Sequence, residues 1–291
     1  MRVSSALLVA LAGCPLGAAF APPLISTSSS RSTSSHCMSL RPVYDELCQK
    51  VGSQFDLKYT DFTNVIGGQS WQCPTASGTA EWLDESSPRF LTGVSFLTRE
   101  NDPAVGLVEE LTINVWMGPS YDTPHMLLTF GEAGDGQYYV TADYVPRGPN
   151  VLGSDPQYLD MYYGPDVQRA WSDAYPPPGQ ASDSFPLRPA YEFEARLLDS
   201  PCRISVVGMD ASKASALATQ HVERFLAWVD QAEPIPARSR GAFNMRDDKL
   251  RQYFFRAQFQ LQARLLGEEV GSVVAAANTG PTAEAYVGGG S

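Results

Sequence analysis

The sequence predicts an α+β fold, an α/β/α sandwich in which helices cover a central, largely antiparallel β-sheet. Three observations carry that expectation. Strand-like alternation fills the middle of the chain, helical spacing marks both ends, and turns bearing Gly or Pro join consecutive strands.

The first helix is expected from Leu40 to about Val51, where Val43, Leu47 and Val51 recur at helical spacing behind Arg41-Pro42. Beyond Phe55 the segments 79–86, 90–98 and 108–117 alternate as strands do. In the last of them Leu111, Ile113, Val115 and Met117 share one face, and Glu110, Thr112, Asn114 and Trp116 share the other. A face that carries Trp116 is not purely solvated, so both faces of this strand matter. A hairpin follows. Met126, Leu128 and Phe130 alternate on its first strand and Tyr138, Val140 and Ala142 on its second, and GEAGDG between them supplies the glycines of the reversal. Its exits carry His125, Asp143 and Arg147.

Segments 190–198 and 203–209 read as another strand pair, and the Pro-rich stretch 164–187 as an irregular loop with a short helix at 166–174. Asp210 caps a helix on which Leu217, His221, Phe225 and Trp228 recur, with Pro234 and Pro236 beyond its end. A last long helix is expected from about Met245 to Ala277, with Leu250, Phe254, Ala257, Leu261 and Leu265 as its apolar stripe.

A net charge of -11 over 291 residues argues against a nucleic-acid surface or a polybasic membrane patch, since both need clustered cations to meet phosphates. One local exception stands out. Seven of the 21 Lys and Arg fall between Arg238 and Arg264. At the start of the chain, residues 1–19 place Arg2 ahead of an apolar run and small residues, the pattern of a signal peptide. Residues 20–40 are rich in Ser and Thr and hold no acid, as transit peptides do. Together they resemble the bipartite leader of proteins sent into complex plastids, so the chain is expected in a plastid stroma. The division that follows is leader, a single domain at 41–278, and a Gly-rich disordered tail at 279–291. Five cysteines without a CxxC pair, and only three histidines, indicate neither a disulfide framework nor a metal site.

Read in order, Ser77-Gly78-Thr79-Ala80-Glu81, Ser86-Ser87-Pro88, TPHMLLTF at 123–130, ADYVPR at 142–147, DPQYLDMYY at 155–163, DSP at 199–201 and LLGEEV at 265–270 resemble the red chlorophyll catabolite reductases. The resemblance covers roughly 45–277. It implies the α/β/α fold of the ferredoxin-dependent bilin reductases and a protein with no bound cofactor, neither metal nor flavin. Electrons would come from reduced ferredoxin, and one double bond of an open-chain tetrapyrrole would be reduced to give the primary fluorescent chlorophyll catabolite. Two acidic positions of the family are replaced here, by Thr129 on the first hairpin strand and by Ala257 on the last helix.

The candidate catalytic groups are therefore Asp143, which matches a family aspartate, and His125, whose ordinary pKa suits proton transfer near neutrality. Asp143 can equally be a strand-end acid paired with Arg147. Thr129, Ala257, Asn114 and Trp116 are candidates for lining the pocket, and Arg147 and Arg203 for holding a substrate carboxylate through a bidentate guanidinium. Arg246, Lys249, Arg256 and Arg264 could dock an acidic ferredoxin. Two further functions compete with this reading: reduction of a biliverdin-like bilin, and tetrapyrrole binding without catalysis.

Overall fold

The computed structural model describes residues 40–55, 58–60, 70–72, 76–84, 90–102, 106–134, 136–147, 156–175, 185–186, 200 and 202–279. The expected leader at 1–39, the expected strand at 190–198 and the tail from 280 onward lie outside these residues. Leu40, assigned to the leader, already belongs to the fold: it is fully buried, and its N–H donates to Glu109 Oε2 at 2.5 Å. At the other end Thr279 is not tail but the buried last residue of a helix, its hydroxyl donating to the Ala275 and Ala276 carbonyls.

Nine strands of the described residues form one antiparallel sheet. They are β1 (Lys58–Thr60), β2 (Ser70–Gln72), β3 (Ala76–Asp84), β4 (Phe90–Asp102), β5 (Gly106–Met117), β6 (His125–Gly134), β7 (Gln137–Val145), β8 (Phe185–Pro186) and β9 (Ile204–Met209). The spatial order is β1-β3-β4-β5-β6-β7-β9-β8, with β2 also paired to β3, so β3 to β7 form a meander. The helices are α1 (Arg41–Phe55), α2 (Pro156–Tyr162), α3 (Pro165–Ala174), α4 (Ala211–Gln231), α5 (Arg240–Leu266) and α6 (Glu268–Thr279).

The period of two along the central strands decides which helices go where. Leu111, Ile113 and Val115 of β5, Met126, Leu128 and Phe130 of β6, and Tyr138, Val140 and Ala142 of β7 face one way. There they meet Leu40, Tyr44, Leu47 and Val51 of α1 and Ala214, Ala218, Val222 and Phe225 of α4, forming the main apolar core. Asp210 Oδ1 accepts from Lys213 N at 2.8 Å and so caps α4, as its sequence position predicts. His221 of α4 sits within this layer. Its Nε2–H donates to Leu127 O at 3.1 Å, and its ring stacks on Tyr144 with centroids 4.0 Å apart.

Helices α5 and α6 cover the opposite face. Trp116 of β5 packs edge-on against Phe254 of α5, with ring centroids 5.6 Å apart, and Trp116 Nε1 and Asn114 Nδ2 both donate to the Asn278 carbonyl of α6. The expected single helix from Met245 to Ala277 is thus two. Gly267, at φ +85°, breaks it in a conformation that glycine adopts without strain. The two helices then fold back closely enough that a Cβ at Gly271 would lie 2.5 Å from Ala263 N.

A second glycine differs from its sequence reading. Gly131 belongs to strand β6 rather than to the turn, and the Tyr139 ring of β7 lies over it, where a Cβ would meet ring carbon Cζ at 2.5 Å. An aromatic ring laid across a strand glycine fills the place of the missing side chain.

Candidate functional site

The sheet face beneath α5 and α6 is buried but not apolar. Register sets its side chains in cross-strand rows. One row is Glu110, Gly131, Tyr139 and Val207; the next is Thr112, Thr129, Thr141 and Ser205; a third holds Asn114, Leu127 and Asp143. Trp116 and His125 lie beyond, with ring centroids 5.0 Å apart. The middle row is a ladder of buried hydroxyls across four strands, in which Thr112 Oγ1 and Thr129 Oγ1 are 3.3 Å apart and Thr141 Oγ1 and Ser205 Oγ are 3.0 Å apart. In the first row the Tyr139 hydroxyl crosses Gly131 to donate to Glu110 Oε2, which seats a buried carboxyl group beside the ladder.

The helix facing this surface is also unusual. Among its described side chains α5 buries Phe243, Asp247, Arg251, Phe254, Phe255, Gln258, Gln262 and Leu266, four of them polar. Polar groups withdrawn from water are costly unless they find partners or a ligand.

At one end of the interface the partners are clear. Arg147, fully buried, donates from Nε to Asp247 Oδ2 at 3.1 Å and from Nη2 to the same oxygen; Nη1 donates to Tyr121 O at 2.7 Å. Its guanidinium also lies 5.5 Å from the Phe243 ring centroid. His125 Nδ1 accepts from Met117 N at 2.9 Å, so the proton of the neutral ring sits on Nε2, which faces Asp247 Oδ1 at 3.2 Å. Burial holds the His125 pKa down to about 4: the nearby Asp247 charge opposes that, while the Arg147 and Arg251 cations add to it. Burial alone would push Asp247 up, but its contacts with His125 and Arg147 hold it below the ordinary carboxylate range.

These contacts revise several sequence expectations. Arg147 is neither a surface charge nor open to a substrate carboxylate, because its donors are committed to Asp247 and the Tyr121 carbonyl. His125 is neutral inside the fold at pH 7 and is not an acid there. Asn114 and Trp116 spend their N–H groups on anchoring α6. Asp143, 3% exposed, accepts at Oδ2 from Ser200 N at 3.2 Å. Continuing the β7–β9 register by one residue sets half-buried Arg203 opposite it. Thr129 stands within the hydroxyl ladder, and half-buried Ala257 lies on α5. On the outer side of that helix Lys249 and Arg256 are exposed, Lys249 Nζ lying 5.1 Å from the Tyr253 ring centroid; Arg246 is half-buried, and the Arg264 side chain is outside the description.

Sequence reasoning missed Asp247, Arg251, Tyr139 and the ladder as a unit. Glu110 and Thr112 could have been found, since they alternate with Trp116 on the face expected to be covered. Among the described residues no cluster of three or more His, Cys, Asp or Glu could hold a metal ion, and no helix is long and apolar enough to cross a membrane.

No protein-family model matches the sequence, and no curated protein matches it. Among solved structures, the chain is similar to a phytochromobilin synthase from tomato in complex with biliverdin. The TM-score is 0.61 at 13% identity, over 83% of each chain. At that identity the likeness establishes the fold.

Proposed function

We propose that this chain is a ferredoxin-dependent reductase of an open-chain tetrapyrrole, acting in a plastid on red chlorophyll catabolite to give the primary fluorescent chlorophyll catabolite. The observation that carries the reading is the buried polar sheet face, with its hydroxyl ladder and flanking carboxyl groups, on the side of the sheet where α5 buries Asp247 and Arg251. A flat conjugated pigment edged with N–H, C=O and carboxylate groups suits such a layer. The fold's likeness to a protein solved with biliverdin supports the pigment class. The ordered motifs from Ser77 to Val270 support the particular substrate.

The reduction adds two electrons and two protons across one double bond. In this reading the protein binds no redox cofactor, and reduced ferredoxin delivers the electrons singly. The protein's share is to orient the pigment, exclude water, stabilise the radical between the two electrons and supply protons. Thr129 and Ala257 replace the family's acids, and among the described residues the buried acids that the sheet presents on this face are Asp143 and Glu110. We assign proton delivery to these two. Glu110 is one row from Thr129 on the neighbouring strand, which keeps a carboxyl group near the position that Thr129 vacates.

Arg246, Lys249, Arg256 and Arg264 on α5 would then receive ferredoxin, whose acidic surface is drawn to a local positive patch in an otherwise acidic protein. The rate should fall as salt screens this attraction. A rate indifferent to ionic strength removes the docking assignment.

The biliverdin-like alternative is favoured by the pigment in the tomato structure, and binding without catalysis by Thr129 and Ala257. One experiment separates the three. The protein is incubated anaerobically with reduced ferredoxin and either pigment while the visible spectrum is followed. Bleaching of red chlorophyll catabolite to a blue-fluorescent product is the expected result. A spectral shift of biliverdin alone points to the bilin substrate, and a shifted but stable spectrum with both pigments points to a binding protein.

A further inference from the structure

Arg251 is a second buried guanidinium on α5, one turn beyond Asp247, and its situation is the reverse of that of Arg147. Its side chain is 3% exposed. Nη2 donates to Asp248 Oδ1 at 2.7 Å, whereas Nε and Nη1, both buried, have no hydrogen-bond partner among the described residues. A guanidinium carries N–H donors on all three nitrogens and cannot shed its charge at any physiological pH, so it cannot relieve this deficit by deprotonating. Leaving buried charged donors unmade is among the more costly defects a fold can carry.

The one partner Arg251 has is poorly placed to hold it. The Asp248 side chain is 52% exposed, so its carboxylate competes with water for the contact and can swing out of it. On its inner side Arg251 lies near His125, whose basicity its charge depresses, and His125 is neutral. Asp247, the nearest buried carboxylate along the helix, is already engaged by Arg147 through Oδ2 and faces His125 through Oδ1.

We propose that Arg251 is the anchor for a carboxylate of the bound ligand, which displaces Asp248 into solvent and accepts from Nε and Nη2, the two donors that share one edge of the guanidinium. This assignment rests on the tetrapyrrole reading of the site and names the ligand group that the sequence expectation had given to Arg147 and Arg203.

The test compares biliverdin, which carries two carboxylates, with its dimethyl ester, with affinities measured by absorbance titration of the wild-type protein. A charge-assisted contact to a buried guanidinium should favour the diacid by roughly 10-fold or more. In Arg251→Gln that preference should disappear, and Arg251→Lys should restore only part of it, because an ammonium lacks the planar fork. Equal wild-type affinity for acid and ester overturns the anchor and leaves the tetrapyrrole reading standing; so does a diacid preference that survives in a folded Arg251→Gln. Failure of the wild-type protein to bind biliverdin, its ester or red chlorophyll catabolite overturns the tetrapyrrole reading and this assignment with it. The wild-type comparison needs no variant, so poor folding of the substituted protein does not shelter the proposal.

Discussion

Replacing Asp247 with alanine is expected to cost the fold about 3–5 kcal/mol, the range typical of removing one partner from a buried ion pair. The reason is what the change leaves behind. Arg147 is fully buried, and two of its three nitrogens donate to Asp247 Oδ2. Without that carboxylate a guanidinium that cannot deprotonate remains in the interior with only backbone carbonyls for partners. The same change unties α5 from the sheet at His125. Asp247→Asn, which keeps the shape and an acceptor oxygen but not the charge, should lose less. Urea unfolding of the two variants measures the difference. An alanine variant as stable as the wild type would mean that the Arg147–Asp247 contact does not hold this end of α5.

Acid should weaken the fold well before carboxylates ordinarily titrate. Burial holds His125 down to about 4 and His221 to about 3, so both stay neutral in the native state where the unfolded chain protonates them, near pH 6.5. The sign follows directly. As pH falls below the unfolded value, the unfolded chain binds protons that the native one does not, and stability drops until the folded pKa values are reached. Each histidine gives a slope of up to about 1.4 kcal/mol per pH unit, so the pair approaches about 2.7 kcal/mol per unit near pH 5, and the His125 share fades as pH nears 4. Asp247 adds to this only below the ordinary carboxylate range, because its own folded pKa is depressed and its contribution is lost as pH falls through it. Chemical denaturation from pH 8 to 4.5 should show a plateau above pH 7 and a steepening decline below 6.5. A flat profile to pH 4.5 would place protonated histidines inside the native fold and contradict the contacts described for both.

Much of the sheet was legible in the sequence because a strand's period of two is local. Leu111, Ile113 and Val115 face the α1–α4 core, Trp116 is covered on the other side, and Asp210 caps α4. Helix α5 was legible as a helix, and part of its apolar stripe faces inward, since Phe254 is buried and Leu250 packs with it against Trp116. The polar residues that the helix also buries, Asp247, Arg251, Gln258 and Gln262, were not legible. Hydrophobic periodicity assumes that the inside is oily, and here Asp247 of the helix meets Arg147 and His125 in the interior. The pairing that orients α5 joins Arg147 to Asp247, 100 residues apart, and nothing local in either segment announces it. The break at Gly267 was hidden for a similar reason, since GEEV continues the helical pattern and only the glycine's φ reveals the turn. The site itself was half visible. Thr129 and Asp143 came from the hairpin, whereas the ladder depends on the alignment of four strands, the last of them far along the chain.

The central claim is that the pigment lies against the hydroxyl ladder, and a crystal structure of the protein grown anaerobically with biliverdin tests it most directly. The account predicts the tetrapyrrole between Thr112, Thr129, Thr141 and Ser205 on one side and α5 on the other, with a carboxylate at Arg251. Pigment bound on the α1–α4 side of the sheet or at the outer surface, with the ladder still buried, would contradict it.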